Sequence, residues 1–146
     1  MKANLIYLTQ TDTTVGLVSQ DSAKLAKAKQ RNPKQPFLIC VESFHKQKRL
    51  VRTPKKFKKE VRRAKKTTYL YPNKKALRVV CESEHKHFLK SFDSLYSSSA
   101  NETGKRFTPK YAWSVADVIV EGKEGFHEGK ASSIYKLGKR RKKRVR

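Results

Sequence analysis

The segment from Ser97 to Gly104 has the composition of a binding site and reads Ser-Ser-Ser-Ala-Asn-Glu-Thr-Gly. It follows the apolar pair Leu95 and Tyr96, so we interpret it as the end of a strand that leads into a loop. Hydroxyls, one carboxamide and several backbone N–H groups in such a loop can bind an anion. A cluster of serine, asparagine and glycine is equally typical of an ordinary turn, and both interpretations stay open at this point.

Lys29 and Arg31 form a second candidate site. They lie near the end of a helix that Asp21 or Ser22 should cap and that should end before Pro33. Residues two apart point in different directions on a helix, but their side chains can converge if the helix has already ended. The alternative is a solvated helix terminus whose cations favour the negative end of the helix dipole.

A hydroxyl-rich segment near the start of the chain is the third candidate. Residues 4–8 predict a buried strand, and residues 9–17, Thr-Gln-Thr-Asp-Thr-Thr-Val-Gly-Leu, predict a bend after it. Gly16 in this bend would allow the backbone to approach a ligand closely.

These candidates need a folded domain to position them, and the composition supports one. The 146 residues include 36% hydrophobic and 33% charged residues, which fits a single domain with a modest core. The formal net charge of +24 makes nucleic acid or phosphorylated ligands the expected partners. A membrane surface is not expected, because outside the presumed domain there is no basic amphipathic helix with a broad apolar face.

Much of the positive charge lies in one helix and in the last residues of the chain. Thr53 and Pro54 should start the helix, with Phe57, Val61 and Ala64 on its apolar face. The C-terminal segment should be disordered when the protein is alone. A solvated surface is one interpretation, but the density of one sign favours contact with RNA phosphates. The residues expected to make it are Lys55, Lys56, Lys58, Lys59, Arg62, Arg63, Arg140, Arg141, Lys142 and Lys143.

The remaining elements alternate between strands and helices. Strands are predicted at residues 37–41, 67–71, 76–80 and 116–120 and again from Ser132, with a hairpin turn at Pro72-Asn73. Ser83 should cap a helix that contains Phe88. This pattern predicts one α/β domain with a twisted, open mixed sheet and flanking helices.

Neither a metal site nor a disulfide is expected. Cys40 and Cys81 share no ligand spacing and are interpreted as free thiols in a reducing compartment. His85 and His87 would point two ways on a helix and lack a third ligand. No run approaches the ~20 apolar residues of a membrane span and no signal-peptide pattern is visible, so we expect a cytoplasmic protein.

Taken together, the segments resemble the YrdC-like threonylcarbamoyl-AMP synthases. The family pattern P-T-D/E-T-x-Y-G-L is similar to residues 10–17, and its K-x-R, with a proline five residues later, is similar to Lys29-Gln30-Arg31 and Pro36. Its R-V-P strand resembles Arg78-Val79-Val80. Its S-T-S-A-N-x-S-G loop resembles residues 97–104, and its S-T-I/V segment resembles residues 132–134. The resemblance covers nearly the whole chain in the same order.

The resemblance implies a YrdC-like domain over residues 1–138, with a basic concave cleft, followed by a polybasic tail at 139–146. Active members condense L-threonine, bicarbonate and ATP, supplied with Mg²⁺, to threonylcarbamoyl-adenylate and pyrophosphate. The product serves tRNA threonylcarbamoyladenosine modification, through a threonylcarbamoyl transferase complex. Phosphate or substrate contacts are implied for Lys29, Arg31, Arg78, Ser99, Asn101, Ser132 and Ser133, and the threonine pocket for Thr11 and Thr13.

The chain also departs from the family pattern. Val15 stands at the position of a tyrosine, Val18 at the position of a glycine, and Asn32 at the position of a proline. A small synthase and a non-catalytic family member that binds tRNA or double-stranded RNA are therefore both carried forward.

Overall fold

The computed structural model describes residues 4–81 and 83–146, which form nine strands and five α-helices. The strands are β1 Tyr7–Gln10, β2 Val15–Ser19, β3 Leu38–Val41, β4 Thr67–Leu70, β5 Ala76–Val79, β6 Leu95–Ser99, β7 Val118–Val120, β8 Ser133–Leu137 and β9 Lys142–Arg144. The helices are α1 Ser22–Ala28, α2 Phe44–Leu50, α3 Lys58–Arg63, α4 Glu84–Leu89 and α5 Pro109–Val115, and a 3₁₀ turn, Lys55–Phe57, precedes α3. The predicted single α/β domain with a mixed sheet is confirmed.

All nine strands belong to one open sheet, in the order β7-β1-β2-β6-β3-β5-β4-β8-β9. The pairs β1/β7, β3/β5 and β4/β8 are parallel, and the other five neighbouring pairs are antiparallel. Strand β6 lies inside the sheet between β2 and β3, so the end of β6 and the loop after it are held by neighbours on both sides.

The two faces of the sheet differ in what covers them. Alternate residues of a strand point to opposite faces. On one face, Leu8 and Leu17 pack with apolar residues of α1 and α5, and Ile39 and Leu77 pack with those of α2 and α3. We call this the helical face. On the other face, Cys40 and its neighbours pack beneath α4.

The face opposite the helical face also carries hydrophilic side chains. Arg78 alternates with Leu77, and Thr68 alternates with Tyr69, so both point away from the helical face. Ser97 and Ser99 take the same side of β6, opposite Tyr96, which packs on the helical cores. We call this side, marked by Thr68, Arg78, Ser97 and Ser99, the polar face.

Several predicted elements are confirmed. The β4–β5 hairpin is antiparallel with its turn at Pro72-Asn73. Helix α1 begins after Asp21, whose Oδ1 accepts a hydrogen bond from the N–H of Lys24 at 3.0 Å. Ser83 caps α4 through the N–H of Lys86. In each case the local signal and the tertiary packing agree.

Other predictions were wrong. The first strand begins at Tyr7 and not at residue 4, and residues 9–17 are not a single bend, because they contain the end of β1, a turn and the start of β2. Thr53 does not cap a helix; its hydroxyl is 3.4 Å from the Gln47 Nε2, and α3 starts only after the 3₁₀ turn. Helices α2 and α5 were not predicted.

The C-terminal segment also differs from its prediction. Residues 142–144 are not disordered, because they form strand β9, which pairs with β8. The Lys142 ammonium forms an ion pair with Glu60 on α3. The chain therefore adds an edge strand where the sequence indicated a free tail. Within the described residues, no helix is long and apolar enough to span a membrane.

Candidate functional site

The turn after α1 brings Lys29 and Arg31 together. Lys29 is the C-cap residue of α1, and Gln30 after it has a φ of +51°, in the left-handed region. The Gln30 N–H donates to the Lys27 carbonyl at 3.1 Å, and the Arg31 N–H donates to the Ala26 carbonyl at 2.9 Å. This pair of bonds is a Schellman turn, with glutamine at the position that usually holds glycine. The helix has therefore ended before Arg31, which allows the two cations to converge.

Lys29 is fixed by the end of β6 and the loop that follows it. Its side chain is buried, and Nζ donates to the Ser99 carbonyl at 2.8 Å and to the Asn101 carbonyl. Burial and then the nearby Arg31 charge lower the pKa of Lys29 to about 8. An ammonium has three N–H donors, so one remains for a ligand. Lys29 therefore joins α1 to the end of β6 and still presents charge to the recess beside it.

Arg31 lies on an aromatic ring. Its guanidinium carbon is 4.4 Å from the centroid of Phe37, and Nη2 donates to the Pro36 carbonyl at 2.9 Å. Burial lowers its pKa from the usual arginine value. Nε is buried and has no hydrogen-bond partner among the described residues. Arg31 is thus held in one orientation beside the recess that it lines.

The serine segment supplies the opposite wall. Ser97, Ser98 and Ser99 belong to β6, so the loop begins only at Ala100. The Asn101 amide donates to the carbonyls of Lys105, at 2.8 Å, and Glu102, at 3.1 Å, which closes the loop on itself. A recess of about 490 Å³ lies against this loop, and Lys29, Arg31, Ser99 and Asn101 line it together. The structure thus brings these four predicted residues to one place.

A second polar cluster lies on the polar face around Arg78. Its side chain is 3% exposed and forms an ion pair with Asp12, with Nη2 and Oδ1 3.0 Å apart. Nε also donates to Oδ1 at 3.1 Å, and Nη1 is 3.4 Å from the Thr68 hydroxyl. Thr68 contacts the Ser132 hydroxyl at 2.8 Å. Arg146 completes the cluster, because its Nη2 donates to the Ser132 hydroxyl at 3.1 Å.

Thr11 and Thr13 shape the turn between β1 and β2. The Thr11 hydroxyl donates to the Thr14 carbonyl at 2.6 Å and accepts from the N–H groups of Thr13 and Thr14 at 3.2 and 3.1 Å. A Cβ on Gly16 would lie 2.7 Å from the Thr11 methyl group, so the predicted close approach is to this side chain. Thr11 is therefore committed to the turn. Within the described part of the chain, the Thr13 hydroxyl makes one contact, at 3.3 Å, with that of Thr11.

Not all predicted residues converge. Ser132 and Ser133 are consecutive, and Ser133 pairs with Thr67 on the opposite side of β8 from the Ser132 cluster. Among the described residues, neither Arg78 nor Ser132 lines the recess beside Lys29. Of the ten predicted RNA-binding residues, Lys55, Lys56, Lys58 and Arg140 line one groove, on the helical face.

Sequence reasoning missed three members of the Arg78 cluster: Asp12, Thr68 and Arg146. Asp12 could have been found, because it is a carboxylate in a hydroxyl-rich segment and Arg78 is a cation on an otherwise apolar strand. Arg146 gave no signal, because nothing distinguishes it from the other cations of the C-terminal segment. It also missed Lys48, Arg49 and Arg52, which lie in the same groove as Lys55.

The fold and these clusters define a class of protein: a one-domain α/β protein whose open mixed sheet carries cations and hydroxyls on one face. The family model named for Sua5, YciO and YrdC, with the description "Telomere recombination", matches residues 1–146. The chain belongs to the Sua5/YciO/YrdC family.

Solved structures share this fold. P. abyssi Sua5 carrying H234A and Y235A superposes with a TM-score of 0.80 at 17% identity, over 97% of this chain and 52% of that one. The complex of P. abyssi Sua5 with L-threonine gives a TM-score of 0.78 at 19% identity, over 97% of this chain and 50% of that one. E. coli YciO gives 0.74 at 14% identity, over 98% and 82%. The chain thus spans about half the length of Sua5, and no curated protein sequence matches it.

The described residues do not form a metal site. Between residues 4–81 and 83–146 there is no group of three or more histidine, cysteine, aspartate or glutamate side chains that could hold a metal ion. His85 is buried on α4, and neither ring nitrogen has a hydrogen-bond partner among those residues. The polar face carries cations, hydroxyls and the Asp12 carboxylate.

Proposed function

We propose that the chain condenses L-threonine, bicarbonate and ATP to threonylcarbamoyl-adenylate and pyrophosphate for tRNA modification. The observation that carries the proposal is the convergence of Lys29, Arg31, Ser99 and Asn101 on one recess. Family membership supports it, as does the Sua5 neighbour solved with L-threonine. Transfer of the product to tRNA, by a threonylcarbamoyl transferase complex, belongs to the same proposal.

The reaction requires positioning and charge neutralisation more than a protein nucleophile. The amine of threonine adds to the carbon of bicarbonate, with loss of water, to form a carbamate. A carbamate oxygen then attacks the α-phosphorus of ATP, and the bond to the pyrophosphate oxygen breaks. Negative charge grows on the leaving group, so fixed cations beside it lower the barrier. ATP enters as its Mg²⁺ complex, which is part of the substrate.

In this proposal each side chain that lines the recess has a role. Lys29 and Arg31 bind the triphosphate and the substrate carboxylate, and the guanidinium group of Arg31 can do so bidentately. The Ser99 hydroxyl contacts phosphate oxygens. The Asn101 amide N–H groups are used within the loop, so its carboxamide oxygen would be a ligand for the Mg²⁺ that accompanies ATP. Because Lys29 is already fixed by two carbonyls, it needs little reorganisation when the anion binds.

The Arg78 cluster supplies the second half of the site. The cluster contains two guanidinium charges, on Arg78 and Arg146, and one carboxylate, on Asp12. It therefore keeps a net positive charge. Arg78, Ser132 and Ser133 bind the nucleotide in this proposal. The backbone N–H of Ser133 already donates to the Lys66 carbonyl at 3.3 Å, so its hydroxyl is the group left for a ligand. Thr13 lines the threonine pocket, and Thr11 supports it by holding the turn.

The second candidate is a non-catalytic family member that binds tRNA or double-stranded RNA. Val15 and Val18, which replace the tyrosine and the glycine of the family pattern, are both buried in apolar cores. They offer no polar group to an amino-acid substrate. The density of exposed cations on the helical face favours this candidate independently.

The experiment that separates the two candidates is adduct formation by the purified chain. ATP, Mg²⁺ and bicarbonate are supplied with and without L-threonine, and threonylcarbamoyl-adenylate is followed by mass. We expect threonine-dependent product, reduced about 10²–10³-fold in Arg31→Ala, which removes a cation beside the developing charge. A loss of similar size is expected in Asn101→Ala, because its amide closes the loop that holds Lys29. Lys34→Ala is the matched control, since Lys34 is exposed and does not line the recess.

The outcomes are distinct. Equal turnover in Arg31→Ala and Lys34→Ala contradicts the assignment of the recess. ATP binding without any adduct, in a chain that unfolds cooperatively, rules out the synthase and leaves the RNA-binding candidate.

A further inference from the structure

A groove of about 1190 Å³ lies on the helical face, away from the recess beside Lys29. Its walls are the end of α2, the 3₁₀ turn and the first residue of α3, the turn between β4 and β5, and residues 139–140. No carboxylate is among its described lining residues. The cations that line it are Lys48, Arg49, Arg52, Lys55, Lys56, Lys58, Lys139 and Arg140.

Contacts between these walls hold the groove open. The Asn73 amide, in the β4–β5 turn, donates to the Leu50 carbonyl at the end of α2 at 3.1 Å. Lys56, in the 3₁₀ turn, donates to the Arg140 carbonyl at 3.0 Å. Three segments that are distant in sequence are therefore joined around one space, so the groove is formed before any ligand arrives.

The groove cations lack protein counter-charges. Within residues 4–81 and 83–146, Arg49 is the one member of this set with an ion pair, an exposed contact of 3.9 Å to Asp93. All eight side chains belong to exposed residues. Like charges that are packed together without counter-ions repel one another, and a polyanion relieves that repulsion and releases its own condensed cations.

The shape and composition of the groove favour a phosphodiester backbone. Its lining contains no aromatic side chain on which a base could stack, so contacts to the backbone are the ones it can make. A membrane surface fits less well, because the large exposed apolar residues Trp113, Ile119 and Val145 lie outside it.

We propose that this groove is the RNA-binding site, and that it takes the phosphate backbone of a structured RNA such as tRNA without reading its bases. The proposal deepens the RNA-binding property considered above and rests on it. It also changes the set of residues expected to contact RNA, because Lys48, Arg49 and Arg52 join it. Lys142 does not line the groove, because its ammonium is paired with Glu60.

One consequence follows from the position of the groove. The recess beside Lys29 lies at the end of β6, whereas α2 and α3 cover the helical face over β3 and β5. RNA in the groove should therefore leave the ATP site accessible, so RNA and ATP should be able to bind at the same time.

The experiment measures binding of the full chain to a labelled tRNA transcript by fluorescence anisotropy between 50 and 200 mM salt. The groove variant carries Lys48→Gln, Arg52→Gln and Lys55→Gln. The control carries Lys34→Gln, Lys90→Gln and Lys123→Gln, three exposed lysines outside the groove, so both variants lose the same net charge. We expect the groove variant to bind at least about tenfold more weakly and its salt slope to fall by about 2 to 3, because each phosphate contact contributes about 0.9. The control should stay within about threefold of the wild type.

Each outcome tests the groove, RNA binding in general or the synthase proposal. Equal weakening in both variants shows that net charge alone binds RNA and overturns the groove, while RNA binding itself stands. Absence of tRNA binding at 50 mM salt overturns both. Displacement of tRNA by saturating ATP and Mg²⁺ places the RNA on the polar face and also overturns the groove. Tighter binding of duplex DNA than of tRNA contradicts the choice of RNA. Adduct formation by the groove variant tests the synthase proposal separately, since none of its three residues lines the recess.

Discussion

The two polar clusters, around Lys29 and around Arg78, and the groove contain the same kinds of side chain in opposite physical states. Lys29 and Arg78 are 5% and 3% exposed, and carbonyls or a carboxylate hold both. The groove cations are exposed, and among residues 4–81 and 83–146 only Arg49 has a counter-charge. A net charge of +24 describes both regions equally and distinguishes neither. Burial and partners decide whether a cation positions one small anion or attracts a long polyanion.

This difference determines how each region should respond to its surroundings. A buried charge is screened little by salt, and losing its partner is costly, because it cannot be solvated again. An exposed charge is screened within about 10 Å at 0.1 M salt, and its removal changes folding very little. Salt should therefore affect the groove, whereas partner loss and pH should affect the polar face.

The largest expected effect is on the buried ion pair. Asp12→Ala leaves Arg78 without a counter-ion in a buried position, and we expect it to lower the free energy of unfolding by about 3–5 kcal/mol. Glu60→Ala removes the partner of Lys142 from a pair whose side chains are 32% and 38% exposed, and should cost less than about 1 kcal/mol. Urea unfolding of both variants gives the comparison. Similar losses would show that burial does not separate the two kinds of charge.

The next effect depends on pH and concerns His85. Burial and then the charge of Arg78 lower its pKa to about 3, whereas an unfolded chain protonates near 6.5. Below pH 6.5 the unfolded state binds the additional proton, so this part of the stability is present above 6.5 and is lost as the pH falls towards 3. The loss should reach about 2–3 kcal/mol by pH 4.5.

His85→Leu tests that loss and His87→Leu controls for it. His87 lies on the same helix and is exposed. Urea unfolding at pH 7 and pH 4.5 should show a smaller acid-induced loss in His85→Leu than in the wild type. The loss in His87→Leu should match the wild type. If all three proteins lose the same stability, the buried imidazole is not responsible.

A smaller effect should appear in ligand binding at the recess. The Lys29 pKa of about 8 means that the ammonium deprotonates at mildly alkaline pH. If Lys29 binds the triphosphate, the affinity for ATP with Mg²⁺ should fall about tenfold between pH 7 and pH 9, as one pKa unit implies. Lys29→Arg keeps its charge in this range, and calorimetry should show no such fall. A fall of the same size in Lys29→Arg would assign it to another group.

The smallest effect tests the turn that positions the cations. Gln30 has a φ of +51°, which costs a residue with a Cβ about 1 kcal/mol relative to glycine. Gln30→Gly should therefore raise the free energy of unfolding by about 0.5–1 kcal/mol, whereas Gln30→Ala, which keeps the Cβ, should not. Thermal unfolding distinguishes them. A gain in both variants would trace to the glutamine side chain and not to the backbone.

The sequence predicted elements whose signals are local. Asp21 caps α1, Ser83 caps α4, and Pro72-Asn73 turns the β4–β5 hairpin, because each depends on a few neighbouring residues. Lys29 and Arg31 were also recognised, but their convergence was only one of two interpretations. The left-handed Gln30 decided between them, and glutamine is not a residue that indicates such a turn.

Elements that depend on distant partners could not be predicted. Ser97 to Ser99 have the composition of a loop, yet they form a strand because β2 and β3 pair with them on both sides. Strand β9 has no apolar residue and exists through its pairing with β8. Strand propensity is context-dependent, so neither segment carries a signal of its own.

The same reason explains the missing part of the site. Arg78 was chosen from a motif, but Asp12 and Arg146, which surround it, are 66 and 68 residues away in sequence. The groove was missed as a unit because its walls come from three segments that are distant in sequence. A charge pattern can indicate that a surface is basic, but it does not show which cations share one concavity.

Strand β9 protects the sheet against uncontrolled association. The outer strand of an open sheet exposes N–H and carbonyl groups that a second chain could join. Here that strand consists of Lys142, Lys143 and Arg144, all exposed, so a second copy that approaches this edge meets like charge before any hydrogen bond can form. A polyanion bound nearby would cancel this repulsion, and the protein should then be more prone to aggregate when RNA is abundant.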